Sequence, residues 1–292
     1  MLKISLVTTS FNQAAYLEAA MRSVMDQAGP NFEYIVVDGG STDGSIDLIE
    51  RHAHRLAWWV SEPDGGHADA LNKGFAHSTG DIMGWLNSDD MLTPWALAVV
   101  EEIFTQFPEV EWITSLHPLL WDARGRAVHC HAFRGFSREG FLRGENLPRR
   151  GHFCTNFIQQ ESTFWRRSLW ERAGGRLDPT LHRSQDFELW TRFFHHAELH
   201  GVDAPLGGWR FHSVQKSGHD EHEGCLAEAE PMLRRVSGGR YSFARRYWRR
   251  FAFECVPLAL QPLAARLGGL YATKTIRFDR FADRWKIVPV FS

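Results

Sequence analysis

Short apolar runs alternate with segments of helical periodicity over the first 115 residues, and this rhythm constrains the fold more than any other feature. The runs at 4–9, 34–37, 56–60, 82–86 and 111–114 read as strands. The second, at 34–37, is too short to alternate, as expected of a buried parallel strand. Between them, Leu17, Met21, Val24 and Met25 form a helical stripe that Asn12 could cap. Ser41, Thr42 and Asp43 offer caps for a helix through Ile46 and Ile49. Residues 68–77 read as a third helix, and Pro94 suits the start of a fourth that runs to Phe104. The order βαβα predicts an α/β fold, a mostly parallel sheet with helices on both faces. Such sheets bind ligands beyond the carboxyl ends of their strands. Asp38 ends the second run; Asn87, Asp89 and Asp90 follow the fourth, so acidic groups converge on one edge.

Beyond residue 115 the rhythm weakens. Arg124-Gly125-Arg126 reads as a turn between strands, and 133–148, rich in Gly and Arg, as a mobile loop. Residues 162–165 read as a strand and 187–196 as a helix. After Gly218, 226–236 and 242–254 look helical, with Pro231 expected to kink or restart the first. The expected organisation is a catalytic unit over 1–218, divided into 1–115 and 116–218, followed by a helical C-terminal extension over 219–292.

With 292 residues, 43% hydrophobic and 23% charged, the chain can bury a large core. A formal net charge of −2 argues against a nucleic-acid binder. Cys130, Cys154, Cys225 and Cys255 show no CxxC pair, so a reducing cytoplasm is expected. The apolar run at 4–7 is too short for a secretory signal, and no segment offers ~20 uninterrupted apolar residues.

Four motifs carry chemistry. In Val37-Asp38-Gly39-Gly40-Ser41-Thr42-Asp43-Gly44, a strand ends in a carboxylate and a glycine turn opens a helix. That arrangement suits hydrogen bonds to a base or ribose, and equally a plain capped turn. In Asn87-Ser88-Asp89-Asp90, adjacent carboxylates repel unless a cation or a proton intervenes. Oxygen ligands favour Mg2+ or Mn2+. Asp186 stands at a helix start, where the macrodipole favours its ionised form, the form a base needs. His212 is a candidate ligand, and Arg210 and Lys216 could meet phosphate oxygens. His129, Cys130 and His131, with His152 and Cys154, hold zinc-type ligands, but adjacent strand residues face opposite ways and the spacing matches no standard finger.

Together these pieces resemble the family 2 glycosyltransferases of the GT-A, Rossmann-like fold. The matching stretches are Thr8-Thr9-Ser10-Phe11-Asn12, the Asp38 loop, Ser61-Glu62-Pro63-Asp64-Gly65-Gly66, Asp69-Ala70-Leu71-Asn72-Lys73-Gly74, Gly80-Asp81 and Leu86-Asn87-Ser88-Asp89-Asp90. Gln160-Glu161-Ser162-Thr163-Phe164-Trp165-Arg166-Arg167, Gln185-Asp186-Phe187-Glu188-Leu189-Trp190-Thr191-Arg192 and Arg210-Phe211-His212 complete the set, in order, over roughly residues 3–218. The resemblance implies inverting transfer of one sugar from a nucleotide-diphosphate sugar, UDP by default, to a glycan or lipid-linked hydroxyl acceptor in bacterial surface polysaccharide or glycoconjugate assembly. It implies donor contacts at Thr9, Asp38, Asp64, Asp69, Lys73, Asn87 and Asp89. Asp90, Asp89 and His212 would hold Mn2+ or Mg2+. Gln160, Glu161 and Trp190 would face the acceptor, and Asp186 would be the base. Many relatives carry two acidic residues where this chain has Asp38-Gly39, and an Asp where it has Asn87. The processive members' QxxRW is replaced here by Glu188-Leu189-Trp190-Thr191-Arg192, so single addition is expected. Gly39 and Asn87 leave open an alternative, a catalytically weak or inactive nucleotide-sugar-binding protein of the same fold. In the tail, Arg240, Arg245, Arg246, Arg249 and Arg250 interleave with Tyr241, Phe243, Tyr247, Trp248 and Phe251. A basic aromatic helix of this kind could rest peripherally on an anionic membrane face.

Overall fold

The computed structural model describes residues 2–133, 135–147, 157–212, 219–239 and 272–291, with isolated positions between 255 and 263. The first part follows the expected rhythm: β1 (Lys3–Ser10), α1 (Ala14–Met25), β2 (Asn31–Asp38), α2 (Ser45–His52), β3 (Trp58–Ser61), α3 (His67–Ala76), β4 (Ile82–Asn87), β5 (Met91–Leu92), α4 (Ala96–Gln106) and β6 (Trp112–Ser115). Then come β7 (Leu119–Trp121), β8 (Ala127–Cys130), α5 (Arg138–Leu142), β9 (Thr163–Arg166), α6 (Arg167–Arg172), α7 (Gln185–His196), β10 (His200–Val202), β11 (Gly207–Arg210), α8 (His219–Val236), β12 (Ala272–Asp279) and β13 (Arg284–Phe291).

Nine strands form the main sheet in the order β13-β12-β10-β6-β9-β4-β1-β2-β3, and β5-β11-β7-β8 form a smaller one. The pairs β1·β2, β1·β4, β2·β3, β6·β10 and β10·β12 are parallel; β9 and β13 run against their neighbours. Alternation along the strands divides the core into two layers. Val7, Ile35 and Val37 pack toward α3, α6 and α7, while Ile4, Leu6, Tyr34 and Val36 pack toward α1, α2 and α4. Both faces are therefore covered, which is why each of these strands buries apolar residues on both sides.

Three expectations are corrected. The extension is helical only in part: α8 is a helix, but β12 and β13 form an antiparallel pair that joins the main sheet through β10. Ile276 and Trp285 there are buried in the same core as β1 and α4. Thr273, Thr275 and Ile276 read as an ordinary β-branched run, and their burial depends on a partner strand some 70 residues away. Pro231 does not divide α8, which continues through it. The neighbouring Ala229 and Leu233 are fully buried, and that packing offsets the lost backbone hydrogen bond. The described part of 133–148 is not a loose loop. Ser137 caps α5 by accepting the Gly140 N–H, and Phe136, Phe141 and Leu147 are buried. Segments 148–156, 213–218 and 240–254, which hold His152, Cys154, Lys216 and the basic aromatic stretch, lie outside the described residues.

Candidate active site

Register places the strand ends in one row. Thr9 of β1 lies between Val37 of β2 and Asn87 of β4, and Ser10 lies opposite Asp38. Asp38 is fully buried and heavily engaged. Its carboxylate accepts Gly40 N–H (3.1 Å), Ser41 N–H (2.8 Å), Ser41 Oγ–H (2.6 Å) and Ser61 Oγ–H (2.7 Å). Asp38 therefore folds the glycine loop. Beside it, a Cβ added at Gly39 would lie 2.9 Å from Asp64 Oδ2 and 3.3 Å from Phe11. The space where many relatives carry a second acidic side chain is thus taken by the Asp64 carboxylate. The other Asp64 oxygen accepts the Gly66 N–H at 2.8 Å, and Asp69 accepts the Gly65 N–H at 3.0 Å. Lys73 donates to Glu62 at 2.6 Å, a bond that raises the lysine's pKa.

The second cluster gathers four carboxyl groups from three parts of the chain. Asp89 and Asp90 follow β4, Glu161 lies in the turn before β9, and Asp186 stands in the first turn of α7. Asp90 is buried, and each of its oxygens accepts one hydrogen bond: Asn87 Nδ2 donates at 2.9 Å and Arg210 N–H at 2.9 Å. Burial, with the nearby charges of Glu161 and Asp89, holds the Asp90 carboxyl well above its ordinary range. Burial pushes Glu161 up to about 7, against a hydrogen bond with Asp90, while Asp186 and Asp89 add to the rise. Asp186 is raised by burial to about 6, and the Phe187 N–H that donates to it at 2.7 Å offsets only part. The helix dipole favours an ionised Asp186, but desolvation is the larger effect.

Opposite these acids stand His212 and Arg210, brought by β11 and the residues after it. His212 Nε2 lies 3.1 Å from Asp89 Oδ2, and its ring stacks on Tyr16 at 4.1 Å. The Arg210 guanidinium lies 5.3 Å from the same Tyr16 ring. Although Arg210 is buried, its Nε and Nη2 have no hydrogen-bond partner among the described residues, nor has His212 Nδ1. Two orphaned guanidinium donors beside a cluster of acids suit an incoming anion. Tyr16 was missed by sequence reasoning; its only signal was a polar-tipped aromatic in the first turn of α1.

The donor set of Asp89, Asp90 and His212 suits a hard divalent cation in chemistry. Ligands at ~2.1 Å on neighbouring octahedral positions stand ~3 Å apart, close to the Asp89–His212 separation. Asp90 accepts one hydrogen bond at each oxygen, which leaves a further lone pair on both. Among the described residues no three His, Cys, Asp or Glu side chains have the spacing to hold an ion. Two residues expected on the acceptor side are packed inward. Gln160 is buried and donates to the Trp85 carbonyl. Trp190 is buried and stacks on Trp85 and Trp112. Both serve the core, and Glu161 belongs to the acidic cluster.

Comparison with known proteins agrees with this geometry. The family model for Glycosyl transferase family 2 matches residues 5–143. An uncharacterized glycosyltransferase of Mycobacterium tuberculosis is 32% identical over 194 residues, 64% of this chain and 67% of that protein. Among solved structures, Staphylococcus aureus TarS in complex with UDP-GlcNAc superimposes with a TM-score of 0.59 at 17% identity, over 89% of this chain and 78% of that one. The mannosyltransferase PcManGT of Pyrobaculum calidifontis, in complex with GDP-Man and Mn2+, gives 0.53 at 19% identity, over 91% and 79%. The ordered motifs, the sheet and these likenesses agree: the chain belongs to the family 2 glycosyltransferases.

Proposed function

We propose that the protein transfers a single sugar, with inversion, from a UDP-sugar to a hydroxyl of a glycan or lipid-linked acceptor, with Asp186 as the base. The observation that carries this is the meeting of Asp186, Glu161, Asp90 and Asp89 with Arg210 and His212 at the carboxyl ends of the strands. A solved relative bound to UDP-GlcNAc supports a uridine donor, and a second bound to GDP-Man and Mn2+ supports a divalent cation. Thr9, Asn87, Asp64, Asp69 and Lys73 line the nucleoside side, with Asp64 taking the base contact that Gly39 cannot make. Arg210 directs its free N–H groups at the leaving diphosphate. Asp89 and His212 would hold Mn2+ or Mg2+, with Asp90 adding charge beside them; the cation supplies charge neutralisation to the diphosphate. Asp186 takes the acceptor hydroxyl proton as the oxygen bonds to the anomeric carbon and the bond to the diphosphate breaks. Assignment to surface polysaccharide or glycoconjugate assembly follows from the family resemblance.

A thermal-shift screen of nucleotide sugars with Mn2+ tests the donor. A ligand at 100 times its Kd stabilises a fold by about 2.7 kcal/mol. The product anomer, read by NMR from a turnover of the donor that shifts, tests inversion. A product that retains the donor's configuration overturns the assignment of Asp186 as the base of a single displacement.

A further inference from the structure

The hairpin of β12 and β13 carries a feature that the site does not use. Phe281 at its tip is 90% exposed and Phe278 beside it 42%. The Arg280 guanidinium lies 5.2 Å from the Phe281 ring. Between residues 272 and 291 there are five basic residues, Lys274, Arg277, Arg280, Arg284 and Lys286, against Asp279 and Asp283. Arg277 is paired with Asp203 and Lys286 with Asp279, whereas Lys274, Arg280 and Arg284 make no ion pair among the described residues. The whole chain shows the same asymmetry. From Arg240 onward eleven Lys and Arg stand against three Asp and Glu, while the residues before it carry 22 against 32. A net charge near zero therefore hides an acidic body and a basic C-terminal part.

The tip is rigidly presented. Asp279 accepts the Phe281 and Ala282 N–H groups, at 3.0 and 3.2 Å, and shapes the turn. Trp285 is buried and anchors the hairpin to α4, donating to Glu102 at 2.9 Å while its carbonyl accepts from Gln106 at 2.6 Å. The parallel chain of β1, β4, β6, β10 and β12 also fixes its place. Because β9 opposes both β4 and β6, β12 runs in the same sense as β1, and the tip leaves the sheet at the edge where the acidic site lies. The last residue of β12 paired with β10 is Ile276, so Arg277, Phe278 and Asp279 carry the tip roughly 10 Å further out.

We infer that this hairpin tip docks the enzyme on an anionic lipid bilayer, with Phe281 entering the interface and Arg280 and Arg284 meeting acidic headgroups. An exposed aromatic flanked by unpaired cations suits such a surface, which offers an apolar phase just beneath a layer of negative charge. The sheet edge that carries the site then faces the same surface. The inference goes beyond the proposed transfer and does not depend on it.

Co-sedimentation with vesicles of phosphatidylcholine mixed with phosphatidylglycerol tests it, with pure phosphatidylcholine as the neutral control. The wild type should sediment with the anionic vesicles only, less so at high salt. Phe281→Ser should weaken binding about tenfold, and Arg280→Gln and Arg284→Gln about fivefold each. Circular dichroism and donor hydrolysis should stay as in the wild type, since none of the three touches the site. If the wild type fails to sediment, or all three variants bind like it, the tip is not the docking surface. A dimer that forms without vesicles and is lost in Phe281→Ser would instead assign the tip to a second copy of this chain and overturn the inference.

Discussion

At the scale of single residues, the site is governed by desolvation. Asp186 has a helix start and a backbone N–H in its favour, yet burial raises it to about 6 from an ordinary 3.8. Catalysis needs the ionised form, so kcat/KM should rise with pH through an inflection near 6 and then level off. Stability runs the other way. A carboxyl raised in the folded state favours folding fully below its unfolded value, near 3.8, and that benefit is lost as pH rises through about 6. Asp186→Asn should therefore unfold at a higher urea concentration at neutral pH, gaining about 1–2 kcal/mol after solvent screening, while losing ~10²–10⁴ in turnover and keeping donor affinity. Turnover equal to wild type would remove the base assignment. Gly39→Ala tests the other side of the site. Its new Cβ would meet Asp64 Oδ2 at 2.9 Å, so the carboxylate must move. Titration calorimetry should show donor binding weakened about tenfold, as for loss of one good hydrogen bond to a charged group; unchanged affinity would show that Asp64 does not contact the donor. Thr9, Asp38 and Asn87 stand in one row because strand-end position alone determines the sheet edge. The inward packing of Gln160 and Trp190 against Trp85 was not legible, because sequence does not say which way a side chain turns once its segment has packed.

At the scale of elements, two carboxylates far from the chemistry hold the frame. Glu33, at the start of β2, loses solvation on burial, but hydrogen bonds from Lys3, Ser5 and Thr79 outweigh that and bring it down to about 2. A lowered carboxyl stabilises the fold above its unfolded value and loses that contribution as pH falls toward 2. Glu33→Gln should cost about 2–3 kcal/mol at pH 7 in a urea titration, with the difference from wild type vanishing in acid. Glu228 of α8 accepts the N–H groups of His182 (3.3 Å), Arg183 (3.0 Å) and Ser184 (3.0 Å), the three residues that lead into α7 and Asp186. Through these bonds it fixes the backbone that leads to Asp186, the proposed base. Glu228→Ala should lower kcat several-fold while KM for the donor stays level, with Glu228→Gln partly restoring it; a loss seen only in KM would contradict the positioning role. Helical periodicity made α1 to α4 legible, whereas the caps expected at Asn12 and at Ser41, Thr42 and Asp43 are replaced by Gln13 and Gly44, neither of which makes a side-chain cap bond. The α8 partnership with α7 was not legible, since its bonds run from one side chain to backbone groups some 45 residues away.

At the scale of the whole molecule, the extension belongs to the fold. Ala229, Leu233, Ile276 and Trp285 are buried in the two cores. Each large apolar side chain removed from water contributes ~1.5–3 kcal/mol, so cutting the chain after Gly218 would forfeit much of the 5–15 kcal/mol typical of a domain. The shortened chain should show no cooperative thermal transition by circular dichroism; a sharp one would restore 1–218 as an independent unit. Chelation is the global test of the acidic cluster. EDTA should abolish turnover and Mn2+ restore it, and full activity without metal would remove the cation from the mechanism. What the sequence determined by itself was the alternating strand and helix order, the family, and the identity of the acids at the strand ends, because these depend on local periodicity and motif spacing. Tertiary structure alone decided that Asp38 is consumed by its own loop, that Asp64 fills the space beside Gly39, that Glu161 joins Asp90, and that the tail closes the sheet. Those outcomes depend on burial and on partners distant in the chain, and a one-dimensional pattern records neither.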